Sequence, residues 1–555
     1  MEFNPELSYI HEIGQKPLVY RNIGQQFDIA VKRFPNVEAI VSCHENIRLT
    51  YTQLRDQADR LGAAFIKLGL KSGDVIAVWG PNTINWYLTM LAAARTGLLL
   101  LGMNPAFQGQ EIRNCLQKVD AKAIIITPES FKKQHYFKIL KAVIPEMEKA
   151  SPGLLKSKSI PTLRHIIVDS QQKHRSVWKF DDLMQWAENS DIQTVKNSVH
   201  KVSPDSPCNI QLTSGTTGVP KAVVLSHFNV VNNSIEFGTR IPMNELKLCC
   251  QIPFFHAYAL ICALFPAYEY GSTLVLPSEG FDADCSLNAI HNEKCVVIYG
   301  TPTMYVDLIN KQKILNVPMG IAKYAVTAGA PCSPQLFEDI KSILKLEKVN
   351  TLYGLSETTA GIFISMPDES KDNVLNTVGR VLQHQEVRVV DSDGFLVPFG
   401  SPGELHVRSY RNMMCYYGDE ERTRDMITKS GWLRTGDQFI LMKDGYGIIV
   451  GRLKDLIIRG GENIYPKEIE DFLNTHPDVL EAFVVGIPDD RMGEELCAFI
   501  RIPEGIEVDE VKLKQFCVGK IAHFKIPKYI RVVKEFPKTA TGKIQKHKLK
   551  ELFLL

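Results

Sequence analysis

The sequence has almost no excess of charge of either sign. Its 555 residues include 64 Lys and Arg and 62 Asp and Glu, which give a formal net charge of +2 at pH 7. A nucleic-acid-binding surface needs clustered positive charge, so none is indicated. The 45% of hydrophobic and 23% of charged residues are typical of a soluble globular protein. At this length we expect two or more domains, with small molecules as their partners.

Long uninterrupted hydrophobic runs are also missing. Residues 86–103 and 257–277 are apolar, but Arg95 interrupts the first and Pro266 and Glu269 interrupt the second. A membrane-spanning helix needs about 20 consecutive apolar residues. We therefore expect no transmembrane segment.

Paired cysteine motifs and targeting signals are absent as well. None of the 12 cysteines forms a CxxC pair, and Cys249 and Cys250 are adjacent, which suits neither a metal site nor an easy disulfide. The N-terminus carries Glu2 and Glu6 without a basic start or an apolar stretch, and the chain does not end in Ser-Lys-Leu. We expect an intracellular protein with reduced thiols, cytoplasmic or mitochondrial, with no clear targeting signal.

What the first half does contain is an alternation of apolar strands and amphipathic helices. Residues 75–79, 123–127 and 165–168 are predicted strands, and residues 84–95 a predicted helix. This alternation predicts an α/β fold with a buried parallel sheet. Residues 168–203 are polar and poorly periodic, so we expect them to cover the surface.

The second half changes character twice. Residues 272–276 and 295–299 continue the strand pattern, whereas residues 379–450 consist of short alternating strands with frequent Gly, Pro and Asp, which predicts an antiparallel barrel-like unit. The last hundred residues form an α/β pattern of their own. The predicted helices are 468–474 and 509–518, the predicted strands are 482–487 and 496–501, and the predicted domains are 1–452 and 453–555.

The first motif with chemical content is a Gly/Ser/Thr-rich loop between two predicted strands, 209–213 and the strand that starts at Lys221. Glycines let the backbone turn and present N–H groups, hydroxyls add donors, and Lys221 adds positive charge, so the loop can hold a phosphate tail. A plain hairpin turn has the same composition. The residues are Thr213, Ser214, Gly215, Thr216, Thr217, Gly218, Val219, Pro220 and Lys221.

Two further motifs supply aromatic and acidic groups. In YGLSET, Tyr353 can stack on a purine and Glu357 can hold Mg²⁺ that bridges phosphates. In WLRTGD, Asp437 can accept both hydroxyls of a ribose, and Arg452 follows in GRLKD. A surface turn explains the first equally well, and Arg452 could simply be a structural salt-bridge partner of Asp437.

The fourth motif, PKTATGKI, places Lys543 on a Gly-containing loop near the C-terminus. A lysine there can reach a reacting carboxylate and an α-phosphate and neutralise charge that develops in the transition state. A solvated tail lysine is the alternative.

In this order and over this distance, the four motifs resemble those of the adenylate-forming superfamily, which includes acyl-CoA synthetases, peptide-synthetase adenylation domains and beetle luciferases. The resemblance covers nearly the whole chain, and segments such as YGTPTMYVDLIN at residues 299–310 are most similar to medium-chain acyl-CoA ligases. It implies a large N-terminal domain of two α/β subdomains and a small β-barrel-like subdomain, followed by a small mobile α+β domain. It also implies that ATP, Mg²⁺ and coenzyme A convert a fatty acid into an acyl-AMP and then an acyl-CoA.

The resemblance further implies a role for each motif residue. Residues 213–221 bind the ATP phosphates, Glu357 binds Mg²⁺, Lys543 catalyses adenylation, Lys454 is the hinge of the C-terminal domain, and His256 belongs to a segment that gates the acyl pocket. Ser356 lies near the α-phosphate, and the nucleotide base and ribose are held by Gly329, Ala330, Pro331, Tyr353, Gly354, Asp437 and Arg452. The coenzyme A tunnel is lined by Gly460, Gly461, Glu462 and Asn463.

The sequence departs from the family pattern in small ways. Ala222 stands where the family usually has Gly, so we expect its methyl group to crowd the loop or the substrate. Ala259 stands where relatives commonly have Gly, which is expected to reshape the acyl pocket. No charged catalytic group is missing, so activity is expected.

Three other functions share these motifs. A luciferase-like enzyme would have a second lysine where this chain has Ile458. A module that loads a carrier protein would be expected beside a carrier domain, and none follows. An inactive scaffold would be expected to lack at least one charged group of the set Lys221, Glu357, Asp437, Arg452 and Lys543.

Overall fold

A computed structural model of the chain describes residues 6–213, 220–328, 334–459, 462–503, 509–539 and 544–554. The first half is built on a mainly parallel eight-stranded sheet. The first six strands, in spatial order, run parallel, and the last two join antiparallel. They are Trp178–Lys179, His165–Val168, Ala123–Ile126, Val75–Trp79, Leu99–Met103, Pro207–Thr213, Lys221–Ser226 and Cys415–Tyr416.

A second, nine-stranded sheet carries the middle of the chain. Six of its neighbouring strands run parallel, and the strands at both edges are antiparallel. In spatial order they are Arg380–Val381, Phe363–Ile364, Lys348–Tyr353, Tyr324–Ala328, Val297–Gly300, Lys247–Cys250, Thr273–Leu276, Glu38–Ser42 and Ile47–Thr50.

One apolar core joins these two sheets through helices. Buried side chains from both sheets, such as Ile76 and Leu248, belong to the same cluster as the helix Ile84–Thr96. Arg95 on that helix is buried because its Nε lies 2.5 Å from Asp59 Oδ1 and its Nη1 lies 2.7 Å from Asp28 Oδ1. The charge that interrupts the apolar stretch thus has two partners on neighbouring helices, as burial of an ion requires.

The helices outside the C-terminal part cover the two sheets. No helix of the described residues is long and apolar enough to cross a membrane. The helices, with a π-turn at Leu260–Leu264, are Ile23–Arg33, Tyr51–Lys67, Ile84–Thr96, Gly109–Lys118, Tyr136–Val143, Phe180–Gln185, Asn189–Val199, His227–Arg240, Ala257–Ala259, Phe265–Tyr270, Ala283–Asn292, Pro302–Leu315, Pro334–Ser342, Lys371–Asn376 and Glu420–Met426. Short 3₁₀ turns occur at Pro145–Glu148 and Ser356–Thr358, and a small hairpin pairs Ser130–Phe131 with Gln134–His135.

A five-stranded antiparallel sheet follows where the barrel-like unit was predicted. It includes one strand from the N-terminus, which pairs with Gln385–Val390 in a way that the local pattern did not indicate. In spatial order the strands are Tyr9–Glu12, Gln385–Val390, Pro402–Ser409, Leu433–Leu441 and Gly447–Arg452.

The chain leaves this sheet through the 3₁₀ turn Leu453–Asp455 and enters a separate C-terminal sheet. The boundary at residue 452 stays a prediction. The strands are Glu462–Ile464, Ile457–Arg459, Gly493–Arg501, Glu481–Asp489 and Tyr529–Val532, and the helical segments are Pro466–Leu473, Glu510–Cys517, His523–Lys525 and Lys546–Leu554.

Residues 168–203 differ from the expectation of an irregular surface segment. They contain the strand Trp178–Lys179 and the helix Asn189–Val199, whose Val195 and Val199 are fully buried. The helix packs on Tyr51–Lys67 and Ile84–Thr96. The segment is therefore part of the core on one side, although its other side is polar.

Candidate functional site

Three predicted nucleotide contacts lie in one hydrogen-bonded group. The Tyr353 hydroxyl donates to Asp437 Oδ2 at 2.6 Å, and Arg452 Nε lies 2.7 Å from Asp437 Oδ1. Asp437 and Arg452 face each other across the antiparallel strands Leu433–Leu441 and Gly447–Arg452. The Asp437 side chain is 2% exposed and that of Arg452 is 40% exposed, so the pair runs from the interior to the surface.

Burial controls the protonation of this group. It raises the pKa of Tyr353 well above its ordinary value, and the charge of Asp437 adds to the increase. The hydroxyl is therefore a permanent donor to the carboxylate. The ring of Tyr353 packs against Phe439, with ring centroids 5.6 Å apart. The salt bridge considered for Arg452 does exist, while its contact with a ribose stays a prediction.

A second group joins the loop lysine to the predicted metal ligand. The Tyr416 hydroxyl donates to Glu357 Oε1 at 2.8 Å, and Lys221 Nζ lies 5.1 Å from the centroid of the Tyr416 ring. Glu357 is buried in the 3₁₀ turn Ser356–Thr358, and Tyr416 is also buried. Burial, then the Glu357 charge, raises the pKa of Tyr416, so this hydroxyl also stays protonated.

Glu357 fits a magnesium site by its chemistry. Mg²⁺ prefers carboxylate oxygens and usually takes only one or two from a protein, with substrate phosphates and waters completing its shell. In the described part of the chain, Tyr416 is the one hydrogen-bond donor to the Glu357 carboxylate, so one oxygen is taken. Those same residues contain no group of three or more His, Cys, Asp or Glu side chains arranged to hold a metal.

The turn before Glu357 depends on glycine. A Cβ atom at Gly354 would lie 2.3 Å from the Ala360 carbonyl oxygen, which is far inside van der Waals contact. The absence of a side chain at Gly354 therefore lets residues 354–360 fold back on themselves. Ser356 starts the 3₁₀ turn and is half-buried.

The predicted phosphate loop lies between two paired strands. Thr213 faces Lys221 across the antiparallel pair, and the Thr213 hydroxyl is buried without a hydrogen-bond partner among the described residues. Pro220 precedes the second strand. Six predicted loop residues lie outside the described residues, namely Ser214, Gly215, Thr216, Thr217, Gly218 and Val219.

Ala222, at which crowding of the loop or the substrate is expected, is a core residue. It is fully buried opposite Leu212, in the same apolar cluster as Ile210 and Val224. Because side chains alternate along a strand, its methyl group lies on the opposite face from Lys221.

The segment predicted to gate the acyl pocket, residues 253–256, enters the core at Phe254 and ends at His256, where a short helix begins. Phe254 is fully buried against Trp86, with ring centroids 5.3 Å apart, so it is a packing residue. His256 is half-buried and caps the helix Ala257–Ala259, with Nδ1 accepting from the Tyr258 N–H at 3.1 Å. Ala259 is fully buried in this helix.

The predicted C-terminal residues are only partly described. Lys454 is exposed in the 3₁₀ turn Leu453–Asp455, and Glu462 is exposed on the strand Glu462–Ile464, which also contains Asn463. The remaining predicted residues Gly329, Ala330, Pro331, Gly460, Gly461 and Lys543 lie outside the described residues.

Two contacts near the site were not predicted. One is the hydrogen bond from the Tyr416 hydroxyl to Glu357. The other is the 2.7 Å hydrogen bond from Gln438 Nε2 to the Tyr465 hydroxyl. The sequence offered only weak signals for them, because a tyrosine in a strand and a glutamine beside an aspartate are both common. Their partners are distant in the chain.

Comparisons with known proteins agree on the kind of protein. A family model described as AMP-binding enzyme matches residues 27–417, and one described as AMP-binding enzyme C-terminal domain matches residues 468–543. The medium-chain acyl-CoA ligase ACSF2, mitochondrial, of Danio rerio is 43% identical to the chain over 98% of its residues and 90% of the relative. The protein of the same description from Homo sapiens is 38% identical over 98% of this chain and 89% of the relative.

A solved structure matches the fold over almost the whole chain. The anthranilate CoA ligase AuaEII in complex with anthranoyl-AMP superposes with a TM-score of 0.83 at 23% identity, covering 97% of this chain and 98% of that one. The predicted α/β fold, with a large N-terminal and a small C-terminal domain, is confirmed.

Proposed function

This chain belongs to the family of AMP-binding enzymes, and from that membership we propose that it is an ATP-dependent acyl-CoA ligase. Its substrates are a carboxylic acid, ATP and coenzyme A. Its products are the acyl-CoA, AMP and pyrophosphate.

The reaction takes two steps because a carboxylate is a poor electrophile. In the first step a carboxylate oxygen attacks the α-phosphorus of ATP, the bond to pyrophosphate breaks, and an acyl-AMP forms. In the second step the thiol sulfur attacks the acyl carbon, AMP leaves, and the thiol proton is lost. A free thiol has a pKa near 8.5, so the proton must leave as the sulfur approaches.

The proposed roles follow the charges of the two groups in the site. Asp437 accepts the ribose hydroxyls through the lone pairs that its contacts with Tyr353 and Arg452 leave open. Arg452 also contacts the ribose, and Tyr353 and Gly354 lie beside the base. Lys221 offsets charge on the phosphates. Glu357 holds Mg²⁺, which when bound would neutralise phosphate charge as pyrophosphate departs. Lys543 stabilises the transition state, Lys454 is the hinge, His256 lies at the acyl pocket, and residues 460–463 line the path of the thiol.

The acid we propose is a medium-chain fatty acid. The Danio rerio and Homo sapiens relatives are described as medium-chain acyl-CoA ligases and as mitochondrial. We accordingly propose an intracellular enzyme, in the cytoplasm or in mitochondria. Fractionation of cells followed by immunoblotting would test the location.

The observation that carries the proposal is the pair of charged groups at the ends of one short turn. Tyr353 contacts the buried Asp437, and Glu357, four residues later, contacts Tyr416 beside Lys221. A nucleotide with a metal-bound triphosphate needs this combination of a ribose acceptor, a metal ligand and a cation.

Pyrophosphate exchange tests the first step. The purified protein with ATP, Mg²⁺ and a panel of acids from two to twenty carbons should transfer labelled pyrophosphate into ATP, most rapidly with medium-chain acids. Mass spectrometry of the same mixtures with coenzyme A should then find the matching acyl-CoA. If no acid supported exchange of labelled pyrophosphate into ATP, the proposal would be wrong. If an acyl thioester formed only with a pantetheinylated carrier protein, the acyl acceptor would be that carrier and not coenzyme A.

Lys543→Ala separates the two steps. We expect this variant to lose most of the adenylation rate, about 10²–10³-fold, because a charge that stabilises the transition state is removed. It should still form acyl-CoA when acyl-AMP and coenzyme A are supplied. Lys548→Ala, an exposed change on the last helix, is the matched control and should affect neither step. Equal losses in both steps would contradict the role of Lys543.

A further inference from the structure

Tyr416 touches both charged groups that the proposed function places at the triphosphate. Its hydroxyl donates to Glu357 Oε1 at 2.8 Å, and its ring lies 5.1 Å from Lys221 Nζ. A cation within about 6 Å of an aromatic centroid is attracted by the ring. A single side chain therefore contacts an anion through its edge and a cation through its face.

The fold fixes this side chain firmly. Cys415–Tyr416 pairs with Lys221–Ser226, the strand that begins with the loop lysine, so Tyr416 and Lys221 belong to the same sheet edge. The Tyr416 N–H donates to Thr423 Oγ1 at 2.9 Å, and the next residue, Tyr417, donates its N–H to the Ala222 carbonyl at 2.8 Å. The side chain of Tyr416 is almost fully buried. Its hydroxyl can therefore hold the Glu357 carboxylate in one orientation.

We propose that Tyr416 is a positioning residue for the metal–triphosphate complex, an inference that rests on the proposed function. Its hydroxyl occupies one oxygen of Glu357 and leaves the other for Mg²⁺. Its ring holds the Lys221 ammonium beside the same phosphates. Outer-shell donors of this kind commonly change metal affinity by about 10–100-fold when they are removed.

The hydrogen bond from the buried Tyr416 hydroxyl to Glu357 favours this role over packing alone. A residue that only filled space would need no hydroxyl, and a buried hydroxyl costs free energy unless it is bonded. Here the acceptor is a carboxylate that the proposed reaction requires.

Binding of ATP with and without Mg²⁺ tests whether the Tyr416 hydroxyl positions Glu357 for the metal. Calorimetric titration of the full chain with ATP, in the absence of acid, gives one dissociation constant in EDTA and another in Mg²⁺. For Tyr416→Phe, which keeps the ring, we expect the constant in EDTA to be unchanged and the constant in Mg²⁺ to rise about 10–100-fold. Tyr417→Phe, one residue away, is the matched control and should change neither constant.

A packing role would give a different result. Equal weakening in both media, or no weakening in either, would overturn the inference about the hydroxyl. Glu357→Gln should reproduce the loss seen only in Mg²⁺, and the double variant with Tyr416→Phe should lose little more, because both changes act on the same metal contact. Fully additive losses of ATP affinity in the double variant would also contradict the inference about the Tyr416 hydroxyl.

The ring is tested by Tyr416→Leu. Since the cation–π contact with Lys221 is also lost, we expect the constant in EDTA to rise about two- to fivefold as well. An unchanged constant in EDTA would overturn this half of the inference. The outcome is separate from the proposed function, because pyrophosphate exchange by the unaltered protein tests the reaction, whereas these titrations test one side chain.

Discussion

At the scale of single residues, the strand that follows the predicted phosphate loop has two chemically different faces. Lys221 stands on the face that meets Tyr416, and Ala222 is buried on the other face beside Ile210 and Val224. The departure from glycine at this position is therefore a matter of core packing. We therefore predict that the methyl group stabilises the strand and does not shape the substrate site.

Ala222→Gly tests this assignment. We expect it to lower the free energy of unfolding by about 1–2 kcal/mol, because the strand gains backbone freedom and loses a buried methyl group. The KM for ATP should not change. Equilibrium urea unfolding and steady-state kinetics measure the two quantities. A large gain in turnover with unchanged stability would mean that the methyl group faces the substrate.

Some site residues could be predicted from the sequence and others could not. Glu357, Asp437 and Arg452 could be predicted because the order and spacing of their motifs resemble those of a known family, and the structure puts each of them in a close contact. Tyr416 could not be separated from an ordinary strand tyrosine. Its partner Glu357 is 59 positions away, and no local pattern encodes that distance.

At the scale of elements, strands with continuous apolar side chains were the most predictable. Val75–Trp79 and His165–Val168 have the predicted bounds, because β-branched and aromatic residues buried on both sheet faces leave little ambiguity. The helix Asn189–Val199 was missed although Ile192, Val195 and Val199 have helical spacing. Three apolar positions among polar ones form too narrow a stripe to be recognised without the helices that cover it.

The start of the helix His227–Arg240 makes stability depend on pH. His227 is fully buried, and its Nδ1 accepts from the Ile23 N–H at 3.3 Å. Burial lowers the pKa of His227 to about 3 from its ordinary 6.5. The folded protein holds His227 in its neutral form, so the contribution of His227 to the free energy of unfolding is complete above pH 6.5. It is lost as the pH falls from 6.5 towards 3, because the unfolded chain binds the proton first.

The expected loss between pH 7.5 and pH 5 is about 2 kcal/mol from this residue. Urea unfolding at both values, for the unaltered chain and for His227→Gln, isolates the contribution. The variant should lose about 2 kcal/mol less on acidification, whereas His200→Gln, at an exposed position, should behave like the unaltered chain. If the free energy of unfolding fell equally with pH in His227→Gln and His200→Gln, His227 would not be the cause of the pH dependence.

At the scale of the whole molecule, the two domains meet beside Asp437. Gln438, next to Asp437, donates to the Tyr465 hydroxyl at 2.7 Å, and Tyr465 precedes the helix Pro466–Leu473. A Cβ atom at Gly451 would lie 3.7 Å from the Tyr465 ring, so the ring lies close over the last strand of the antiparallel sheet. Sequence patterns predicted both domains but not this contact, because it depends on how they are docked.

Tyr465→Phe is expected to loosen that docking without unfolding either domain. One hydrogen bond of about 0.5–1.5 kcal/mol is lost, which increases the population of undocked molecules about two- to tenfold. Lys454, exposed in the connecting turn Leu453–Asp455, is a trypsin site that undocking makes easier to reach. The rate of cleavage after Lys454, followed by mass spectrometry under native conditions, should rise by that factor. Tyr446→Phe, which removes a hydroxyl bonded to Glu369 at 3.0 Å within the N-terminal domain, should leave the rate unchanged. A rate for Tyr465→Phe equal to that of the control would mean that the Gln438 contact does not hold the domains together.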